Sequence, residues 1–341
     1  MHASAVLIEG AKKLSSFPKT DQRERGIIMH ASAVLIEGAK KLSLAEIGLK
    51  DPEAGDVVVR VQHSGISTGT EKLLWSGAMP PFPGLAYPLV PGYEAVGEVV
   101  DATACTGYKV GDFVFVPGSS GFREAKGLFG GSASYLVTPA DRVRKINPAL
   151  GDSGTLFALA ATARHALAGF DARLPELIIG HGVLGRLLAR LTVVAGGKPP
   201  TVWEVDENRM AGTQGYQVIH PDQDTKRDYQ SIYDASGCTD FLDQWIQRCG
   251  RGAEIVLAGF YSERINFAFP HAFMREMKFR IAAEWSADDM TAINALIDEG
   301  MLSLDGLVTH RAKATDARQA YVQAFEDPTC YKMVLDWEAL N

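Results

Sequence analysis

The sequence predicts an α/β protein in which a β-rich, barrel-like half precedes a doubly wound parallel sheet. Three observations carry this. From Met29 to about Ala149, short apolar runs are broken by Gly, Pro and Asp, the texture of strands joined by tight turns. From about Leu150, strand-like and helix-like runs alternate, which builds a parallel sheet with helices on both faces. Between one such strand and helix lies Gly180-His181-Gly182-Val183-Leu184-Gly185, a GxGxxG turn in the context that motif needs.

The elements follow in order. In the first half the strands are Val57–Val61, Ala95–Val100, Phe113–Val116 and Ser134–Val137. In the second, strand Leu177–Ile179 precedes helix Leu184–Val194, and strand Thr201–Trp203 precedes a polar helix near Asn208–Gln214. Ser231–Gly237 and Ala253–Gly259 read as buried strands. After about Glu284 come two helices and a last strand, Lys332–Leu335. The expected division assigns 29–149 and 285–341 to the β-rich domain and 150–284 to the nucleotide-binding domain.

Residues 1–15, MHASAVLIEGAKKLS, recur unchanged at 29–43. A perfect short repeat is not a solenoid, whose units are longer and diverge. It reads as a start-site or cloning duplication, with Met29 as the working start. Both copies carry the strand-like Ala-Val-Leu-Ile. The second is expected to hold the place in the sheet, because it runs straight into Leu44–Val61 and closes the shorter loop. Residues 1–28 are then a flexible extension without a function.

At 341 residues the chain is long enough for two domains. A hydrophobic content of 46% suits a globular α/β enzyme, and the net charge of −7 offers nucleic acid or an anionic membrane no electrostatic footing. No stretch approaches the ~18 apolar residues of a membrane span, and residues 1–28 lack the plan of a secretion signal. The cysteines, Cys105, Cys238, Cys249 and Cys330, are scattered without a CxxC. That excludes a disulfide framework and a structural zinc lobe, and points to a reduced, cytoplasmic protein.

The glycine turn has a physical reading at each position. Gly180 allows the tight turn, Gly182 lets a pyrophosphate approach the backbone at Val183 and Leu184, and Gly185 permits close helix–strand contact. The helix N-terminus supplies N–H donors and partial positive charge. Glu204 ends the next strand about 20 residues on, where a carboxylate binds the ribose hydroxyls and repels a 2′-phosphate. NAD is therefore expected rather than NADP. Asp206 is the alternative ribose ligand, and Arg209 is the residue that argues for a phosphate. His181, inside the turn, either touches the cofactor or is merely tolerated there.

Rings and prolines crowd one region: Trp75, Phe82 and Tyr87 among Pro80, Pro81, Pro83 and Pro88, with Phe122, Phe129, Phe260, Tyr261 and Trp285 further on. Such walls suit a broad, flat, apolar ligand, and Lys72, Arg123 and Lys126 could meet its carboxylate. The competing reading is ordinary core and loop rigidity.

Gly65–Glu71 followed by Pro91–Gly97, with Gly107, Gly111–Val114 and Gly130–Val137, resembles the catalytic domain of the medium-chain dehydrogenases/reductases. The resemblance covers 29–337. It implies a GroES-like β-rich catalytic domain joined to a Rossmann domain. In zinc-using members a Cys and a His of these segments, with a third ligand placed here at Ala158, hold a catalytic metal. Here Ser67 or Thr68 replaces the Cys and Tyr93 the His, so no metal is expected. By the same resemblance Thr70 is the hydroxyl that relays the alcohol proton, and Thr162 lies where the family contacts the nicotinamide. Tyr93 either bonds the substrate oxygen or fills the volume left by the metal. His165 is either a base or a packed helix residue, and Glu71 a catalytic acid or a structural partner.

Longer strings, among them Ile66–Leu74, Tyr87–Glu94, Ala158–His165, Gly180–Arg190 and Leu257–Tyr261, are similar to one zinc-free branch of the family. That branch oxidises the 3-(1-hydroxyethyl) side chain of a bacteriochlorophyllide to 3-acetyl with NAD. The alternatives are a zinc-free quinone or enoyl reductase using NAD(P)H, and a pigment-binding carrier without catalysis. Family habit adds a homodimer paired through sheet edges.

Overall fold

The computed structural model describes residues 29–341 apart from Phe170 and Thr239. The first copy of the repeat and the extension to residue 28 lie outside the described residues. The copy at 29–43 is built into a sheet. His30–Gly38 pairs antiparallel with Lys41–Gly48, and Ala33, Val34 and Ile36 are wholly buried.

The larger β-rich sheet runs from His310–Lys313 through Met333–Asp336, Asp56–Ile66, Ala95–Asp101 and Phe113–Val116 to Arg144–Lys145, with Tyr135–Pro139 also on Asp56–Ile66. Its β-branched residues Val57, Val58, Val59 and Val61 fill a core that the helix Ala317–Glu326 closes with Ala317, Ala320 and Tyr321. Two registers in this sheet set up the site. Ser64 lies opposite Ala95, and Met333 opposite Ile66. The segments running off these strands at Ser67, Tyr93 and Lys332 are thereby brought together.

The second sheet is six-stranded and parallel, in the order Gln217–Ile219, Thr201–Trp203, Leu177–Ile179, Tyr229–Asp234, Cys249–Leu257, Lys278–Ile281. Helices Phe157–Leu167 and Val183–Val194 cover one face, and Leu242–Arg248 and Phe269–Met274 the other. The winding reverses between Leu177–Ile179 and Tyr229–Asp234. Such a reversal opens a crevice at the carboxyl ends of the strands, where α/β sheets bind ligands.

One element differs from expectation. The helix expected near Asn208–Gln214 is a single 3₁₀ turn, Glu207–Arg209. Gly212 and Gly215 adopt φ of 80° and 77°, which ends helical geometry. The side chain of Arg186 then gathers the freed carbonyls of Arg209, Ala211 and Gly212 at 2.8–3.1 Å. The helix Ala287–Asp298 packs Met290 and Ile293 into the core it shares with Phe157–Leu167. Its capping box, Ser286 with Asp289, orients Asp289 toward Arg164 and His165. After this helix the chain enters the β-rich sheet again at His310–Lys313.

Candidate active site

A hydroxyl pair occupies the centre of the site. Ser67 follows strand Asp56–Ile66, Tyr93 precedes strand Ala95–Asp101, and Ser67 Oγ lies 2.6 Å from Tyr93 OH. Of the two hydroxyl residues considered for this position, Ser67 meets the tyrosine. Thr70, the first residue of helix Thr70–Ser76, also presents its hydroxyl to Tyr93.

Beneath the pair lie two carboxyl groups without solvent access. Glu94 forms a buried ion pair with Lys332, at 2.9 and 2.6 Å to its two oxygens, and the same ammonium donates to Ile66 O at 3.2 Å. Gly65 is required here, since a Cβ at that position would fall 2.2 Å from Glu94 Oε2. Glu71 Oε1 accepts the Ser67 N–H at 2.9 Å, and Oε2 accepts the Tyr321 hydroxyl at 2.6 Å. Burial raises the pKa of both carboxyls, that of Glu71 to about 7, while Lys332 pulls Glu94 back down. Burial and the charge of Glu94 push the Tyr93 phenol upward. It is therefore a neutral donor at ordinary pH.

Aromatic rings wall the pair. Phe129 meets the Tyr93 ring edge-on at 5.4 Å, Trp285 lies tilted against it at 6.3 Å, and Phe82 stands 6.2 Å from Phe129. The other expected ligand-contacting residues are placed elsewhere. Trp75 packs on Phe325 in the β-rich core at 5.4 Å, Tyr87 donates to Leu74 O, and Lys72 donates to Phe325 O. Phe260 is exposed after strand Cys249–Leu257.

By the family resemblance, the metal positions fall at Ser67 or Thr68, at Tyr93 and at Ala158. A hydroxyl, a neutral phenol and a methyl do not fit a zinc ion, which takes thiolate, imidazole or carboxylate donors. Among the described residues, no group of three or more His, Cys, Asp or Glu could hold a metal. Thr162 donates to Ala158 O at 2.9 Å within its own helix, and Thr68 is half-buried. His165 Nδ1 is held by Asp289 at 2.8 Å, so its imidazole is engaged away from the hydroxyl pair.

The glycine turn has the geometry a dinucleotide needs. Gly180 takes φ of 92°, a Cβ on Gly185 would fall 1.9 Å from Gly180 O, and a Cβ on Gly182 would meet only open space. That space lies at the N-terminus of Val183–Val194, which no side chain caps, so its N–H groups face an anion site. Glu204 closes the turn from the neighbouring strand, accepting the His181 N–H at 2.9 Å and those of Val205 and Asp206 at 2.8 and 3.1 Å. His181 is wholly buried instead of facing a ligand. Burial and the charge of Arg186 lower its pKa to about 4. The neutral ring donates from Nδ1 to Arg209 O and accepts at Nε2 from Tyr216 OH.

Sequence reasoning gave Tyr321, Ser132 and Lys332 no role at the site: Ser132 was read only within the stretch Gly130–Val137, Lys332 only as the start of the last strand, and Tyr321 not at all. Glu71, read as a catalytic acid or a structural partner, gave the one signal that a partner had to exist.

Residues 53–148 match the alcohol dehydrogenase GroES-like domain. The chain is 60% identical over 292 residues to the 2-desacetyl-2-hydroxyethyl bacteriochlorophyllide A dehydrogenase of Rhodobacter capsulatus, covering 85% of this chain and 93% of that protein. It is 57% identical over 301 residues to the protein of the same name from Cereibacter sphaeroides, covering 87% and 95%. The 2R,3R-butanediol dehydrogenase of Bacillus subtilis superposes with a TM-score of 0.77 at 21% identity, covering 90% of this chain and 99% of that one. Among the described residues, no helix is long and apolar enough to cross a membrane. With its glycine turn, its GroES-like half and these relatives, the chain belongs to the 2-desacetyl-2-hydroxyethyl bacteriochlorophyllide A dehydrogenase family of medium-chain dehydrogenases.

Proposed function

We propose that this enzyme oxidises the 3-(1-hydroxyethyl) group of a bacteriochlorophyllide to 3-acetyl, using NAD and no zinc, in the reducing cytoplasm. The observation that carries the reading is the Ser67–Tyr93 hydroxyl pair standing where zinc-using members bind metal, under an aromatic wall. When bound, the nicotinamide supplies the two-electron acceptor. Tyr93, kept neutral, hydrogen-bonds the substrate oxygen, and Ser67 and Thr70 hold its hydroxyl in line. The alcohol proton leaves through these hydroxyls to water. Phe129, Phe82 and Trp285 take the face of the macrocycle. The hydroxyl sits beside a conjugated ring, so the ketone gains conjugation, which offsets the missing Lewis acid.

The preference for NAD rests on Glu204, the ribose-side carboxylate at the end of its strand. Arg209, the residue that would favour a 2′-phosphate, donates to Pro328 O at 2.8 Å and lies 3.9 Å from Asp206. The test is an anaerobic assay with the hydroxyethyl pigment and either NAD or NADP, with and without a strong chelator. Red-shifted acetyl pigment forming with NADH, undiminished by chelation, is the expected result. Loss of activity on chelation would defeat the metal-free mechanism. NADPH consumption with quinones or enones, and no pigment change, would put the chain among the reductases.

The enzyme is a homodimer through the strand Lys278–Ile281. This strand ends the parallel sheet, so one side of its backbone is unpaired. Ile281 and Met274 beside it are 75% and 72% exposed, next to a groove of about 520 Å³ lined by phenylalanines. An apolar open edge invites a partner strand, and an identical edge meets it about a twofold axis. Sedimentation should show a dimer for the wild type and a monomer for Ile281→Asp. A wild-type monomer would refute the pairing.

A further inference from the structure

Tyr321 lies about 250 positions from Glu71 in the chain, yet the two share a buried hydrogen bond of 2.6 Å. Its hydroxyl is also 3.4 Å from Ser132 Oγ. All three side chains are wholly buried. The other oxygen of Glu71 receives the N–H of Ser67, whose Oγ bonds Tyr93. One carboxylate thus joins the helix Ala317–Glu326 to the backbone that aims the hydroxyl pair.

We infer that Glu71 and Tyr321 are positioning residues that fix Ser67, and through it Tyr93, for the alcohol of the substrate. The inference rests on the proposed function. Neither group touches the reacting atoms. Their effect passes through the Ser67 main chain, which follows strand Asp56–Ile66 and is held by Glu71 through its N–H.

The observed bonding defines the form of Glu71 that does this. Both of its oxygens accept, one from an N–H and one from an O–H, so the arrangement suits the ionised carboxylate. A protonated carboxyl would present a donor to one of them. Tyr321 would then have to turn its own hydrogen toward Ser132. The groups facing Glu71 are Glu94, which disfavours its charge, Lys332, which favours it, and the phenols of Tyr321 and Tyr93. With the pKa of Glu71 at about 7, turnover rises with pH through that value as Ser67 is drawn into place. Removing the Tyr321 donor takes away a bond to the charged form, which moves this limb to higher pH.

The test is steady-state kinetics of the full chain from about pH 5 to pH 9, for the wild type, Tyr321→Phe and Glu71→Gln, with pigment and NAD. Tyr321→Phe should lower kcat by about tenfold, leave KM for NAD unchanged and displace the acid limb upward. Glu71→Gln should abolish that limb. If kcat falls in both variants while the limb stays where it is, the residues serve the fold alone and the inference is wrong. Should the wild type leave the pigment unchanged, the substrate reading fails first. Infrared titration of the buried carboxyl in the wild type, Tyr321→Phe and Glu71→Gln then decides the coupling by itself. An upward shift in Tyr321→Phe of a band absent from Glu71→Gln supports the coupling, and an unshifted one overturns it.

Discussion

Replacing Lys332 by Met is expected to destabilise the chain by about 3–5 kcal/mol, the cost of stranding a buried charge. Lys332 and Glu94 are 1% and 0% exposed, and the ammonium contacts both carboxylate oxygens. Without it, Glu94 must stay ionised with no partner or take up a proton inside the core. The second course is the cheaper one, because burial already raises its pKa. The destabilisation of Lys332→Met should therefore shrink as pH falls and Glu94 protonates. A Glu94→Gln/Lys332→Met double variant should recover most of the loss, since no charge is then left alone. Chemical denaturation of the three proteins measures this. A single variant costing less than about 1 kcal/mol, the range of an exposed pair, would show that Glu94 finds another partner or water.

Tyr93→Phe is expected to reduce turnover by about a hundredfold, the usual loss on removing one donor from a developing oxyanion. The phenol is 2.6 Å from Ser67 Oγ and is braced by Phe129 and Trp285, so the phenyl ring keeps its place and only the hydroxyl is lost. Affinity for NAD should stay as it is, because the glycine turn at Gly180–Gly185 belongs to the other sheet. Binding followed by nucleotide fluorescence, beside kcat for the pigment, separates the two effects. Turnover within about twofold of the wild type would remove Tyr93 from the chemistry and leave it as filler for the space of a metal.

The local features were legible in the sequence because each is written in contiguous residues. Alternating apolar runs marked the strands, and the glycine turn fell between a strand and a helix as expected. The family resemblance set Ser67 or Thr68, Tyr93 and Ala158 at the metal positions, and the structure pairs Ser67 with Tyr93. The expected helix near Asn208–Gln214 failed because its polar pattern said nothing about two glycines at positive φ or about Arg186 collecting the carbonyls. Aromatic residues read as one cleft divided into two sets. Phe82, Phe129 and Trp285 gather at Tyr93, whereas Trp75 packs on Phe325.

What the sequence determined by itself is the type of fold and the place of the glycine turn between a strand and a helix. What only the tertiary structure decided is how the hydroxyls of Ser67 and Tyr93 are held. Lys332 reaches Glu94 and Tyr321 reaches Glu71 from segments more than 230 positions away. Such pairings leave no spacing in the chain. They exist because a buried carboxylate must find a donor, and the antiparallel register of Met333 on Ile66 brings one of those donors within reach.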